Sequence, residues 1–143
     1  MDTALAQVVE RVREPLLAIS EEDASATPSP GKWSKKQILG HLIDSAHNNH
    51  QRFVRLQLER EVTMPGYQQD DWVWVNAYHT RTWKQLVLFW VAYNLHLVCL
   101  VQRLDDTCLD HVWHHPSADY TLGFLVEDYM THLQHHLRQI GVA

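Results

Sequence analysis

The sequence has few of the residues that punctuate a turn-rich β fold or a disulfide scaffold. Its 143 residues include only five glycines, five prolines and two cysteines. Sandwiches and barrels need many short strands joined by glycine- and proline-rich turns, so this scarcity favours long helices. Cys99 and Cys108 form no C-x-x-C motif and require no oxidising compartment. We expect Cys99, which lies in an apolar run, to be a small core residue.

Basic side chains are also few, and they form no stripe along the sequence. Lys and Arg number 12 against 17 Asp and Glu, which gives a formal net charge of -5. A duplex-binding protein needs clustered cations to displace counterions from the phosphates, and an anionic lipid surface attracts basic segments. The composition therefore argues against nucleic acid and against a membrane surface as partners.

Neither a signal peptide nor a membrane span is predicted. The N-terminal stretch MDTALAQVVERVREPLL contains charges and no apolar core of the kind that a signal peptide has. The longest apolar run, 86–101, is interrupted by Asn94 and His96 and is shorter than the roughly 20 residues of a transmembrane helix. A helix that is apolar all round is typical of the most buried helix of a soluble protein. We therefore predict a cytoplasmic protein.

The hydrophobic pattern predicts four long helices in a single domain, residues 1–143. Apolar residues recur at helical spacing in the first segment, and the capping-box patterns that begin at Ser34 and Thr82 open the second and third helices. The predicted helices span about 4–19, 34–60, 82–104 and 122–140. The two long connections contain no convincing strand pattern, although short helical turns are expected at 69–77 and near residue 105. We predict an all-α four-helix bundle with at least one crossover.

What the sequence has in excess is histidine, with eleven residues. Three of them, His132, His135 and His136, lie in the last predicted helix. At about 100° per residue, His132 and His136 form an i, i+4 pair at the edge of the apolar stripe, whereas His135 points to solvent. Two imidazoles one turn apart can share a metal ion. Leu133 stands where H-E-x-x-H zinc peptidases have glutamate, so their mechanism is excluded.

A third ligand has to come from another helix. On the second predicted helix, His41 lies at the edge of the apolar stripe with Ser45, Asn48 and Arg52 on the same flank, which makes it the best candidate there. Asp44 is a weaker candidate for orienting a ligand imidazole, because its helical angle points toward solvent. From the residues alone, a metal site and a partly exposed histidine cluster are both open.

Several polar and aromatic residues also have two interpretations. Asn94, a polar group in the most apolar helix, either reaches the metal cavity or has a structural partner. Trp72, Trp74 and Trp83 either line a pocket or pack in the bundle, and packing is the commoner role. We expect His115 to lie in a solvent-exposed loop.

Four stretches of the chain together resemble the DinB/YfiT-like superfamily of metalloenzymes. They are WSKKQILGHLIDS (33–45), GYQQDDW (66–72), LDDTCLDHVWHHP (104–116) and the terminal H-x-x-x-H-x-x-x-I (132–140). The resemblance covers about residues 33–140, and the set is specific jointly although no single piece is. Ala46 stands where YfiT-type proteins often have a further histidine. If that histidine shapes substrate binding in the relatives, their substrates do not carry over.

The resemblance implies an up-down-down-up four-helix bundle that binds a divalent metal ion through three histidines. By position these are His41, His132 and His136, the same residues that the helical facing favours. Neutral nitrogen ligands suit zinc or nickel. The resemblance further implies a small-molecule substrate, a hydrolase or a low-molecular-weight-thiol S-transferase, and a homodimer.

The residues leave the function itself open. A three-imidazole site with open coordination positions is the catalytic arrangement for zinc. The alternative is a non-catalytic metal- or ligand-binding protein of a stress response, because no carboxylate falls where a general base should be. In a third interpretation the histidines are a surface feature of an interaction module. No catalytic residue, cofactor-binding residue or particular substrate is predicted.

Overall fold

Four long helices build the protein, and the computed structural model describes residues 2–143. The long helices are α1 (Asp2–Ala18), α3 (Lys35–Leu58), α5 (Trp83–Gln102) and α6 (Leu122–Ile140). Short helices lie between them: α2 (Glu21–Ser25), α4 (Gln69–Val75) and two 3₁₀ turns (Tyr78–Thr80 and Asp106–Cys108). The four long helices predicted from the hydrophobic pattern are confirmed, and the last has the predicted bounds.

Side-chain caps begin α3 and α5, and a glycine ends α6. Ser34 Oγ accepts a hydrogen bond from the Gln37 backbone N–H (3.3 Å), while Gln37 Oε1 accepts one from the Ser34 N–H (2.9 Å). This is the predicted capping box at the start of α3. Thr82 caps α5 through the Gln85 backbone N–H. Gly141 ends α6 with φ 102°, a left-handed conformation that glycine adopts without steric cost.

The direction of α5 follows from its contacts with α1 and α3. The Trp83 indole at the start of α5 donates to the Leu16 carbonyl oxygen near the end of α1 (2.7 Å), so these two helices are antiparallel. Glu21 joins the beginnings of α3 and α5, because its carboxylate pairs with Lys36 and accepts the Trp83 backbone N–H. Further along both helices His50 contacts Tyr93. Helices α3 and α5 are therefore parallel.

Helix α6 runs antiparallel to α3. His132, near the end of α6, meets His41, near the beginning of α3. Earlier in α6, Tyr129 packs against Phe53 of α3 with ring centroids 6.0 Å apart. Together with the antiparallel α1–α5 pair and the parallel α3–α5 pair, this gives the up-down-down-up arrangement.

A small three-stranded sheet, which the sequence pattern did not predict, ties the two long connections together. Its strands are β1 (Glu61–Thr63), β2 (Val112–His115) and β3 (Ala118–Thr121). β1 pairs in parallel with β2, and β2 pairs antiparallel with β3. Strands of three or four residues are too short for alternation to be visible, and the parallel pair joins segments far apart in sequence. Trp113 anchors the sheet by donating its indole N–H to the Met64 carbonyl oxygen (2.9 Å).

Helix α5 is less buried than its composition predicted. Leu88, Phe89 and Leu95 on its outer face are 43%, 45% and 44% exposed. Cys99 is also exposed, so the prediction that it is a core residue is wrong. In the described part of the chain, α5 alone has the length and hydropathy (1.5) of a possible membrane span, and 39% of that stretch is buried in the bundle.

Candidate metal centre

Helices α3 and α6 bring together the three histidines named from the sequence. His41, His132 and His136 each present one ring nitrogen, and these nitrogens all lie within 4.8 Å of one another. The closest pair, His41 Nε2 and His132 Nε2, is 2.9 Å apart. The ring centroids are separated by 4.5 to 4.8 Å. The predicted grouping is therefore present as geometry, while metal binding itself stays a prediction.

The facing of each histidine follows from the helix that carries it. His132 and His136 lie one turn apart on the side of α6 that meets α3, and His135 is exposed as predicted. His41, whose sequence-derived angle was marginal, is only 1% exposed. Its place at the α3–α6 contact, rather than its angle to the apolar stripe, decides its burial.

Burial keeps these imidazoles neutral. Removal from water, together with the charges that His132 and His136 would carry, lowers the pKa of His41 to about 3. Burial likewise lowers the pKa of His132 to about 4. The pKa of His136 is lowered by burial as well, although its bond to Gln139 opposes the shift. A neutral imidazole is the form that binds metal ions.

Hydrogen bonds to the second ring nitrogens orient two of the three rings. His136 Nδ1 lies 2.7 Å from Gln139 Oε1, and His132 Nδ1 lies 3.5 Å from Ser45 Oγ. An Nδ1–H that donates outward leaves Nε2 as the free donor atom, the arrangement common in metal-ligating histidines. His41 Nδ1 is buried with no hydrogen-bond partner among the described residues. Three neutral, converging nitrogens fit a divalent ion such as zinc or nickel.

Asp44 is buried against Tyr78 of the 3₁₀ turn and does not lie in solvent, which corrects the expectation from its helical angle. It is 2% exposed, and its Oδ1 accepts hydrogen bonds from the Tyr78 hydroxyl (2.6 Å) and from Asn76 Nδ2 (3.1 Å). Burial raises the pKa of Asp44 to about 6, although the Tyr78 bond opposes the shift. Gly40 makes this contact possible, because a Cβ there would lie 2.1 Å from Tyr78 Cδ2. The 3₁₀ turn thus covers a side of α3 that was expected to face solvent.

Most of the chain, including the three histidines, matches the model of a known protein family. The family model of the DinB superfamily matches residues 4–140. The chain belongs to the DinB superfamily. The matched range contains all three histidines of the cluster, and the resemblance inferred from the four sequence stretches is confirmed.

Relatives of this DinB-superfamily chain carry a common name. A protein of Oceanobacillus iheyensis is 25% identical over 134 residues, covering 93% of this chain and 77% of its own. A protein of Bacillus cereus strain B4264 is 24% identical over 144 residues, covering 98% of this chain and 83% of its own. Both are named "Putative metal-dependent hydrolase".

The fold of this superfamily member is also that of a solved structure. YfiT from Bacillus subtilis matches with a TM-score of 0.67 at 17% identity, over 99% of this chain and 86% of YfiT. That protein is described as "a probable metal-dependent hydrolase with an unusual four-helix bundle topology". At this identity the likeness establishes the fold, and it confirms the predicted four-helix bundle.

Asn94 has a structural role and does not reach the cluster. It is fully buried, its Oδ1 accepts the Tyr129 hydroxyl (2.6 Å), and its Nδ2 donates to the Trp90 carbonyl oxygen (2.9 Å). Both polar groups of the amide are therefore satisfied within the bundle, as a buried amide requires.

Trp83 packs in the bundle, Trp74 lies at the surface, and Trp72 and His115 each line a cavity. Trp83 is buried, Trp74 is exposed and stacks on a histidine ring, and Trp72 is half-buried beside His47 with ring centroids 5.9 Å apart. His115 lies half-buried on β2 and not in an exposed loop. The sheet explains this position, and its short strands leave no pattern in the sequence.

A cavity of about 400 Å³ lies beside the cluster. Two of its lining residues contact the cluster directly: the Trp33 ring is 5.1 Å from the His41 ring, and Gln139 bonds to His136. Lys32 and Asp70 also line it, so the wall carries one charge of each sign. Its volume lies within the usual range of small-molecule pockets.

Proposed function

We propose that this DinB-superfamily protein is a metal-dependent hydrolase of a small molecule. His41, His132 and His136 would hold one divalent ion, zinc or nickel. The observation that carries the proposal is the convergence of three imidazole nitrogens within 4.8 Å, on groups that burial keeps neutral. The hydrolase names of the relatives support it.

The residues of the chain would prepare the site for this chemistry. A divalent ion held by three imidazoles supplies a Lewis acid that activates water near neutral pH. Gln139 and Ser45 hold the His136 and His132 rings in one orientation, and Trp33 packs against His41. In the described chain the group contains histidines alone, so no carboxylate competes with the substrate for the ion.

The substrate would enter through the 400 Å³ cavity beside the cluster. Its wall carries Lys32 as the only basic side chain, opposed by Asp70. A phosphate dianion normally requires several converging donors or cations. The wall therefore favours a small neutral or cationic molecule whose ester or amide group reaches the ion.

Metal analysis followed by turnover tests this function. Protein purified without a histidine tag should contain close to one equivalent of a divalent ion and should hydrolyse members of a panel of neutral esters and amides. His132→Ala should lose both properties, and His135→Ala, whose side chain is exposed, should keep both. Protein that never binds a divalent ion would contradict the proposal.

Cobalt substitution separates hydrolysis from the other predicted reactions. A thiolate-to-cobalt charge-transfer band on adding glutathione, bacillithiol or mycothiol would favour transfer of a low-molecular-weight thiol. Ester or amide turnover without such a band supports hydrolysis. Metal binding with neither response across the panel would favour a non-catalytic binding protein.

We also propose a cytoplasmic homodimer that buries the outer face of α5. The three exposed side chains Leu88, Phe89 and Leu95 form an apolar strip on that helix, and exposed apolar patches mark association surfaces. Light scattering at micromolar concentration should give the dimer mass, and Phe89→Glu should give the monomer mass. A monomeric wild-type protein would contradict this proposal.

A further inference from the structure

A second cavity, of about 300 Å³, lies between α3, α6 and the small sheet, away from the three-histidine cluster. Its wall is largely aromatic and contains Trp113, Tyr120 and Phe124. Arg52 and Asp128 are the charged residues that line it. By helical rise, Arg52 is about 16 Å along α3 from His41, so the cavity is separate from the one described above.

Arg52 is buried in this cavity without a carboxylate partner. It is 9% exposed, and no carboxylate oxygen among the described side chains lies within 4.0 Å of its guanidinium nitrogens. Its guanidinium carbon lies 3.9 Å from the centre of the Trp113 ring. Its hydrogen bond within the described protein is a long one, from Nη1 to Asn49 Oδ1 (3.4 Å).

The edge of this guanidinium is left available. A guanidinium has five N–H donors that all point outward in its plane. Stacking on Trp113 occupies one face and uses none of them. None of the Arg52 nitrogens is among the fully enclosed, unpartnered atoms of the described structure, so the donors without a protein acceptor keep accessible surface, and Arg52 lines the cavity. Buried charges are normally paired, and here no paired group comes from the described chain.

We propose that this cavity binds a small monocarboxylate with an aromatic or branched apolar body. The carboxylate pairs with the guanidinium edge of Arg52, which matches carboxylate geometry in a bidentate way. The apolar body lies against Tyr120 and Phe124, whose rings are stacked with centroids 5.5 Å apart. Trp113 holds the guanidinium from behind.

The charge of the wall selects a monoanion. Arg52 is the only Lys or Arg in the cavity wall, and Asp128 lies on the same wall. Asp128 is close enough for its charge to act on Arg52, although it forms no ion pair with it. A phosphate dianion would gain one cation and face one carboxylate. A monocarboxylate is satisfied by the single guanidinium.

The backbone before Tyr67 passes close to His115, one of the residues that line the cavity. Gly66 passes so near the sheet that a Cβ would lie 2.7 Å from His115 Nε2. The next residue, Tyr67, is half-buried; burial raises its pKa, and the charge of Arg52 opposes this shift. Glycine at 66 therefore lets this connection pack against β2.

Calorimetry on the metal-free protein tests the proposal independently of the hydrolase function. The probes are phenylacetate, benzoate and 4-methylpentanoate, each paired with its neutral amide. At least one carboxylate should bind with an affinity at least ten-fold above that of its amide. If none of the three does so at concentrations up to roughly 10 mM, about ten-fold weaker than the roughly 1 mM that corresponds to about −4 kcal/mol, the proposal is wrong, whatever the hydrolase assays give.

Two variants move the affinity in opposite directions. Arg52→Met keeps an apolar side chain of similar length, and the preference for carboxylate over amide should disappear. Asp128→Asn, at an exposed position, removes the like charge and should raise carboxylate affinity about two- to five-fold with amide affinity unchanged. Because Asp128→Asn does not disturb the core, it decides the question even if Arg52→Met folds poorly. Unchanged carboxylate affinity in Asp128→Asn would overturn the proposal.

The location is checked by the Trp113 indole resonance. The indole N–H of Trp113 is bonded to Met64, and its ring lies directly under the guanidinium. Its proton–nitrogen cross-peak, assigned by its loss in Trp113→Phe, should shift on titration with the carboxylate. Binding that leaves this peak unmoved and shifts the Trp33 peak would place the ligand in the other cavity and contradict the assignment.

Discussion

Helix α3 carries histidines toward both of its long neighbours, and only one side gives a converging group. Toward α6, three imidazole nitrogens lie within 4.8 Å of one another. Toward α5, the His50 ring lies 5.1 Å from the His96 ring, but His50 Nδ1 is bonded to the Tyr93 hydroxyl (2.9 Å). In the described structure no third ligand completes that second group.

Burial of a histidine and convergence of several ring nitrogens are different properties of these two sides. Burial lowers the pKa of His50 just as it lowers those of His41 and His132. A depressed pKa is therefore shared by both sides and does not by itself mark a metal site. What distinguishes the α6 side is the i, i+4 pair, which presents two rings to one ring of the facing helix. A converging group therefore needs both the i, i+4 spacing of two histidines on α6 and a third histidine at the facing position on α3.

The largest expected effect is loss of metal from the α6 side. His41→Ala, His132→Ala and His136→Ala should each lower metal affinity by more than about 100-fold, beyond the effect of losing a mere supporting hydrogen bond. Three ligands leave no spare. Metal content after dialysis against a competing chelator measures this.

The α5 side supplies the matched controls. His50→Ala and His96→Ala remove half-buried and exposed imidazoles and should leave metal content unchanged. If either control loses metal as completely as His132→Ala, convergence is not what distinguishes the two sides.

A second large effect is expected from the third side of α3, at Gly40. Gly40→Ala should destabilise the protein by about 2–3 kcal/mol, the usual cost of overpacking. The new Cβ would lie 2.1 Å from Tyr78 Cδ2, so the ring has to move and its bond to Asp44 is weakened. Urea unfolding measures the change. The control is Gly123→Ala, whose Cβ meets its nearest atom at 3.4 Å, and equal loss in both variants would rule out this explanation.

These contrasts show what the sequence made predictable. The relative facing of His132, His135 and His136 was correct, because it depends only on the rotation per residue within one helix. The burial of His41 depends on how α6 packs against α3, and no local sequence pattern predicts that packing. Asp44 was placed wrongly because the prediction measured its angle from the apolar stripe and had no knowledge of the 3₁₀ turn above it.

The Arg52 cavity was harder to anticipate than the histidine cluster. The helical facing predicted that Arg52 lies on the same flank of α3 as His41, and the structure agrees with this position. The aromatic wall comes from β2, β3 and α6, and strands of three or four residues leave no periodic signal. A glycine next to a tyrosine, as in Gly66–Tyr67, was the one local hint of a close backbone approach.

The pH dependence of stability gives a smaller effect, which reports the burial of His41. The folded-state pKa of His41, about 3, is far below the value of about 6.5 for an exposed imidazole. Below pH 6.5 the unfolded chain binds protons that the folded chain does not. The free energy of unfolding of the metal-free protein should therefore fall as the pH drops from 6.5 toward 4, by up to about 1.4 kcal/mol per pH unit for His41.

Urea denaturation at pH 7, 6 and 5 measures this slope. His41→Ala should flatten it more than His96→Ala, because His96 is exposed. Protonation of Asp44, whose pKa is raised to about 6, opposes this slope, so the decisive comparison is with the variant: a slope that His41→Ala leaves unchanged would contradict the neutral, buried state of His41.

The smallest effect concerns the groups that hold the second ring nitrogens. Gln139→Leu removes the acceptor 2.7 Å from His136 Nδ1 and should lower metal affinity about 10- to 100-fold, as loss of a supporting hydrogen bond typically does. Ser45→Ala should have a weaker effect, because its contact with His132 Nδ1 is 3.5 Å long. Tyr93→Phe makes the equivalent change on the α5 side, where it removes the partner of His50. Competition with a chromophoric chelator ranks the three affinities.

The two possible outcomes have different meanings. If Tyr93→Phe weakens metal binding as much as Gln139→Leu, the α5 and α6 sides of α3 are coupled and do not act separately. If only Gln139→Leu and Ser45→Ala weaken metal binding, the orientation of the rings on the α6 side is what prepares the nitrogens for the ion.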